Sequence, residues 1–228
     1  MINRRRIKPA WLWAVLAIVI VGVLGRAART AWPTQHPSSR PTAAQLRDAF
    51  QQALRRGPPQ LPVYGEVPNF ALTDHRGRPF TRQDLAGRCW IADFIFTRCA
   101  GQCLTMTAQM ASLQERLPQD IRLLSVSVDP TWDTPEVLAG YAARAGASSE
   151  RWLFVTGAQD DIFRLSRDGL HLSVATEGGT PAEPIVHSVR LVLIDREGRI
   201  RGYYDATDAA AVDRLLLDAA ALLQPDAS

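Results

Sequence analysis

The sequence predicts an α/β protein, a mixed sheet sandwiched by helices and preceded by a single N-terminal transmembrane helix. Three observations carry that reading. From Leu61 onward, short apolar runs alternate with amphipathic stretches in the order βαβ and then ββα, a pattern that buries one mixed sheet between helices. The run CWIADFIF at 89–96 is apolar almost throughout, as a buried strand should be. Ahead of this body, Ala10–Gly25 is an uncharged apolar stretch of sixteen residues behind the cluster Arg4, Arg5, Arg6 and Lys8.

Sixteen helical residues span about 24 Å, and snorkelling by Lys8 and Arg26 extends that reach toward the roughly 30 Å hydrocarbon core. A cleaved signal peptide opens in the same way. LGRAARTAW, however, offers no small-x-small site ahead of its charges, so residues 1–26 read as a basic flank and a retained anchor. Arg4-Arg5 meets only part of a twin-arginine pattern. The basic flank places the N-terminus in the cytoplasm, and Trp11 and Trp13 suit the interface. The body is then expected on the outer, periplasmic side of the inner or cytoplasmic membrane. Residues 27–60, rich in Pro, Ser, Gln and Arg, form a linker around AAQLRDAFQQALRR, where Leu46, Phe50 and Leu54 share a helix face. That helix lies on the membrane, docks on the domain or stands as a solvated spacer.

The domain at 61–228 follows element by element. NFALT and RPFT flank the turn DHRG as a hairpin. After the strand at 89–96 comes a helix from about Cys103 to Leu117, the strand IRLLSVSV (121–128), and a helix from Thr134 to about Gly146 with Pro135 in its first turn. WLFVT (152–156) is a strand, DDIFRLSRD (160–168) a helix, and HLSVA (171–175) an edge strand. TEGGTPAEPIV (176–186) has no period and reads as a functional or mobile loop. HSVRLVLID (187–195) and RIRGYY (199–204) pair across the turn REG, and an amphipathic helix closes the domain from Asp208 to Leu223.

Charge excludes one large class of function. The net charge is +3, but residues 1–60 hold ten basic side chains against one acid, Asp48. The body is therefore acidic and would repel a phosphate backbone, so nucleic acid is not an expected partner. Three cysteines are too few for a disulfide scaffold. Cys99 and Cys103 stand four apart just past the buried strand, at the mouth of the next helix. That spacing puts both sulfurs on one helical face, and a helix N-terminus favours the thiolate. Such a pair can hold a soft metal, Cu(I) above all, or close to a disulfide. A static disulfide or two buried thiols is the bland alternative.

FTRCAGQC, then SVDPTWDTPEVLAGYA, then IVHSVRLVLIDREGRIRGYY, in this order and at these separations, resemble the Sco/SenC proteins, membrane-anchored thioredoxin-like copper proteins of cytochrome oxidase assembly. The resemblance covers roughly residues 62–223. It implies a thioredoxin-like fold and copper held by Cys99, Cys103 and His187. Ala100, Gly101 and Gln102 stand where the family motif carries a proline and then an acid, a departure that keeps the ligands and alters the loop between them. A thioredoxin-like fold brings the loop before the His187 strand against the dithiol. Two thiolates and an imidazole suit Cu(II), while the sulfurs hold Cu(I) with or without nitrogen; zinc accepts the same donors plus water. A strand-end histidine bonded to backbone is the plainer account of His187.

Among the other candidates, Asp129 ends a strand at the same sheet edge and orients His187 from the second coordination shell, or caps the turn together with Asp133. His171 lies between apolar neighbours and reads as packed, while His36 and His75 read as surface residues. Cys89 reads as an inert buried thiol, and Met106 and Met110 as core. The first functional expectation is copper delivery to the copper-site subunit of cytochrome c oxidase, with a copper donor or a thioredoxin-like reductant as further partner. The second is a thiol-disulfide oxidoreductase that uses Cys99 and Cys103 alone to reduce partner cysteines. A peroxidase would need Thr three residues before its cysteine, where this chain has Phe96.

Overall fold

The computed structural model describes residues 42–56, 61–99, 101–175 and 185–223. The expected anchor at 1–26, most of the linker and the loop at 176–184 lie outside the described residues, and within them no helix is long and apolar enough to cross a membrane. In chain order the elements are α1 (Ala43–Arg56), β1 (Gly65–Glu66), β2 (Ala71–Asp74), β3 (Pro79–Thr81), β4 (Trp90–Ile95), α2 (Gln102–Arg116), β5 (Arg122–Ser127), α3 (Pro135–Arg144), β6 (Trp152–Thr156), α4 (Gln159–Arg164), β7 (Val174–Ala175), β8 (Val186–His187), β9 (Arg190–Ile194), β10 (Arg199–Asp205) and α5 (Ala209–Ala221).

Eight strands form one sheet in the order β1-β10-β9-β4-β5-β6-β2-β3. β4, β5 and β6 are parallel, and β9 joins β4 antiparallel. Every residue of β4 is buried, which is why it reads as a continuous apolar run. Alternation along the strands assigns the faces. Ile91, Asp93 and Ile95 share one side with Leu123, Ser125 and Ser127 in register. α3 packs on this side through Tyr141 against Phe154. α2 joins α3 by the Thr107–Tyr141 hydrogen bond, and α5 joins α2 by the Arg116–Asp213 ion pair. The other side, with Ala92, Phe94, Leu124 and Val126 at 0–1% exposure, is buried as well, and next to it His187 of the β7–β8 ribbon meets Phe96.

Several details differ from the sequence reading. The HSVRLVLID run breaks at Ser188 and Val189, so β8 leaves the main sheet and pairs with β7 as a separate ribbon. The 171–175 strand therefore shrinks to two residues and is not an edge of the main sheet. α4 ends at Arg164 and passes into a π turn at Leu165–Gly169. α1 lies against α5, so the amphipathic linker helix is docked on the domain. β1, a two-residue strand, gave no pattern to detect.

Candidate metal centre

The thiol loop begins where β4 stops. Thr97–Cys99 turns outward, and α2 starts only at Gln102 after Gly101 as N-cap. Cys103 is thus in the first turn of α2 while Cys99 precedes the helix, which corrects the expectation that both sulfurs share a helical face; the loop brings them together instead. A buried aspartate fixes the base of this loop. Asp133, 0% exposed, accepts from Thr97 N at 3.1 Å, Thr97 Oγ1 at 2.5 Å and Ser127 Oγ at 2.5 Å. The α3 cap is Thr134, whose hydroxyl accepts from Val137 N, so Asp133 serves the thiol loop rather than the helix.

His187 reaches the same point from β8, which is 84 residues downstream of Cys103. Its Nε2 lies 3.1 Å from Cys103 Sγ. Its Nδ1 lies 3.1 Å from the carbonyl of Ser188. A carbonyl only accepts, so Nδ1 carries the ring proton and the Nε2 lone pair faces the sulfur. The ring stands edge-on to Phe96, with centroids 5.6 Å apart at 85°. This is the arrangement in which a histidine ligand is oriented by its second nitrogen.

Cys99 and Cys103 are unbridged and buried, at 6% and 0% exposure. Burial pushes the Cys103 thiol far above the usual thiol range, and the Cys99 side chain beside it adds to the rise. The thiolate expected from the helix N-terminus is not what this site holds at Cys103. Desolvation outweighs the helix dipole because the sulfur has no water on any side. Beneath α2, Asp93 is completely buried, neither of its carboxyl oxygens has a hydrogen bond of normal geometry, and burial raises its pKa to about 7; Ser125 is near enough only to moderate the rise. Among the described residues no three His, Cys, Asp or Glu side chains are already arranged to hold a metal ion. Cys103 is the point of contact, touching His187 Nε2 on one side and the Cys99 side chain on the other.

The remaining candidates fall elsewhere. Asp129 is buried, its Oδ2 accepting from Arg98 Nη2 at 2.5 Å and its Oδ1 from Thr131 Oγ1 at 3.0 Å. Arg98 in turn covers the exposed ring of Trp132 at 4.7 Å. His171 is exposed with φ 53°, not packed. His75 is buried, not on the surface, because the β2 turn folds onto β6 and its Nδ1 accepts from Phe154 N. His36 lies outside the described residues. Cys89 is buried with its pKa pushed up to about 11 by desolvation, and Met106 and Met110 are fully buried core. Sequence reasoning missed Asp93 and Asp133 as parts of this region; the signal was an acid inside an otherwise apolar strand and another in the turn six residues past the end of β5.

Comparison with known proteins finds relatives along most of the domain. The family described as SCO1/SenC matches residues 61–220. The SCO1 protein homolog of Bacillus subtilis (strain 168) is 31% identical over 161 residues, 69% of this chain and 82% of the relative. A putative copper-binding protein of Stutzerimonas stutzeri is 34% identical over 154 residues, 64% of this chain and 72% of that one. Among solved structures, a SCO1/SenC family lipoprotein from Bacillus anthracis superimposes with a TM-score of 0.67 at 30% identity, covering 72% of this chain and 99% of that chain. BsSco, described as a Sco-family cytochrome c oxidase assembly protein with a disulfide switch, gives 0.62 at 29%, covering 74% of this chain and all of its own.

Proposed function

Since the chain belongs to the SCO1/SenC family, we propose that it is a copper-binding protein, held to the membrane by residues 1–26 with its domain on the outer side, that delivers copper to the copper-site subunit of cytochrome c oxidase. The observation that supports the site is the 3.1 Å approach of His187 Nε2 to Cys103 Sγ, with Nδ1 occupied by the Ser188 carbonyl. The donor set of Cys99, Cys103 and His187 suits copper: the sulfurs serve Cu(I), and the imidazole extends the set to Cu(II). Capture displaces the thiol protons, so uptake is expected to release protons and to weaken as pH falls. Burial of Cys103 sharpens this, because a cation must supply the positive charge that the site otherwise lacks.

The test is titration of the reduced full chain with Cu(I) and Cu(II), following stoichiometry and sulfur-to-copper charge-transfer absorption. One equivalent should bind, and His187→Ala should weaken Cu(II) binding by at least about tenfold, one lost ligand bond at roughly 1.4 kcal/mol or more. Undiminished Cu(II) affinity in His187→Ala would overturn the three-ligand site. A second reading rests on the adjacency of two unbridged thiols. Cys99 and Cys103 would then close to a disulfide as two electrons and two protons pass to a partner disulfide. That activity would survive His187→Ala and vanish in Cys99→Ser.

A further inference from the structure

At the opposite end of β4 and β5 from the thiols, an open cavity of about 360 Å³ gathers Arg76, Arg78, Arg88 and Arg122. This is unusual in a domain whose acids outnumber its arginines. Two of the three carboxylates at the cavity, Asp74 and Asp84, are committed. Asp74 accepts both from the Arg78 guanidinium and from the backbone of residues 76 and 78. Asp84 accepts from Thr81 N and Oγ1. Glu150 faces Arg76 at 3.8 Å and is otherwise out in solvent. Arg88 and Arg122 have no carboxylate within ion-pair distance among the described residues. Register explains their proximity, since Arg122 is the ladder partner of Trp90, two residues after Arg88. Burial and then the charge of Arg88 lower the pKa of Arg122, and the more distant carboxylates of Glu150 and Asp120 offset this only in part. Behind them the buried Arg151 spends its guanidinium on the carbonyls of Gln114, Leu117, Pro118 and Ile121, with no carboxylate among the described residues in ion-pair contact with it.

We propose that this cavity binds a phosphate group, held by the guanidiniums of Arg88 and Arg122. A dianionic tetrahedral oxyanion accepts paired N–H donors from arginine forks, and it would give two like charges at one opening the direct anionic contact that neither has from a carboxylate among the described residues. The site lies away from the thiols and does not depend on the copper reading. Its phosphate comes either from a soluble anion or from a lipid headgroup.

The full chain in neutral detergent is melted across an inorganic phosphate series and a sodium chloride series of matched ionic strength. Phosphate should raise Tm saturably, by roughly 3–6 °C at tenfold excess over Kd. Arg88→Gln and Arg122→Gln should abolish the rise, and without phosphate Arg88→Gln should melt no lower than the parent because it removes a like-charged neighbour. A second arm uses mixed micelles containing phosphatidylglycerol: a variant-sensitive rise there alone assigns the headgroup, and a rise in both arms assigns the phosphate group itself. A non-saturating rise shared by both variants is the general effect of an excluded salt and overturns the site, as does no rise in either arm. Should Arg122→Gln fail to fold, the exposed Arg88 carries the test.

Discussion

Asp93 in β4 and Asp195 just past β9 lie on neighbouring strands and are both buried, at 0% and 3% exposure, yet the protein treats them in opposite ways. Asp195 takes Arg199 Nε at 2.7 Å and Arg201 Nη1 at 2.8 Å on one oxygen and the backbone of Glu197 and Arg199 on the other. Burial pushes its pKa up, but these partners together outweigh burial and hold it below the usual carboxylate range. Asp93 has no such partners, and burial, only moderated by Ser125, takes it to about 7. The hairpin end of the sheet is thus electrostatically closed, whereas the strand beneath the thiols carries an unspent polar group. A buried polar group without a partner costs stability, so its place under the candidate metal centre marks where the fold has yielded stability to the site.

The largest test of this contrast removes the closed side. Asp195→Ala leaves Arg201, whose side chain is only 11% exposed, without its counter-ion, and should cost about 3–5 kcal/mol in guanidinium unfolding at neutral pH. A loss below about 1 kcal/mol would mean that the Leu61 and Pro62 carbonyls, which also accept from Arg201, suffice for it. The two acids should also differ in the sign of their pH dependence. Asp195 has a depressed pKa, so its contribution is present above the ordinary carboxylate range and is lost as pH falls through its folded value.

For Asp93 the sign reverses. Its folded pKa lies above its unfolded value, so the folded state is penalised as pH rises from about 4 through about 7. Asp93→Asn removes the ionisation and should match the parent near pH 4. By pH 8 it should exceed the parent by on the order of 2 kcal/mol, less than the full shift implies because the amide is itself buried. Parallel stability curves for the two proteins across that window would show that Asp93 is not the exception that the comparison makes it.

Much of this organisation was legible in the sequence, and what was not has a physical reason. The apolar run at 89–96 announced β4, and Pro135 with Thr134 announced the start of α3. Cys99, Cys103 and His187 were singled out from residue type and motif order, and the structure brings Cys103 and His187 into contact. The protonated state of Cys103 was not legible, because spacing reports the helix mouth but not the packing that removes water. His75 misled for the same reason, since a turn sequence is hydrophilic whether or not its turn folds back onto a neighbouring strand. The break between β8 and β9 had only a faint signal, the adjacent polar pair His187-Ser188, because from Ser188 onward the alternation runs straight into β9.

Asp133 supplies an intermediate case, an acid buried as deeply as Asp93 but satisfied by neutral donors from Thr97 and Ser127. Asp133→Asn places an amide donor against those donors, and a cost of about 1–2 kcal/mol is expected, together with a changed reactivity of Cys99 toward a thiol reagent as the loop loosens. Stability loss with unchanged thiol reactivity would confine Asp133 to the scaffold and separate it from the site.

The smallest effect belongs to Asp129, whose guanidinium partner is half in solvent: the Arg98 side chain is 44% exposed against 6% for Asp129. Arg98 approaches one carboxylate oxygen with both Nε and Nη2 while its plane covers the Trp132 ring. Arg98→Lys keeps the charge and gives up both the fork and the stacking. Screening by water limits what the pair is worth, and an exposed cation–π contact adds roughly 0.5–1 kcal/mol, so the substitution should cost about 1 kcal/mol or less. Trp132 should report the change by a shift in fluorescence. If Arg98→Lys instead costs as much as Asp195→Ala, exposure of one partner does not govern these pairs, and the gradient from Asp195 to Asp129 must be set by the local backbone rather than by access of water.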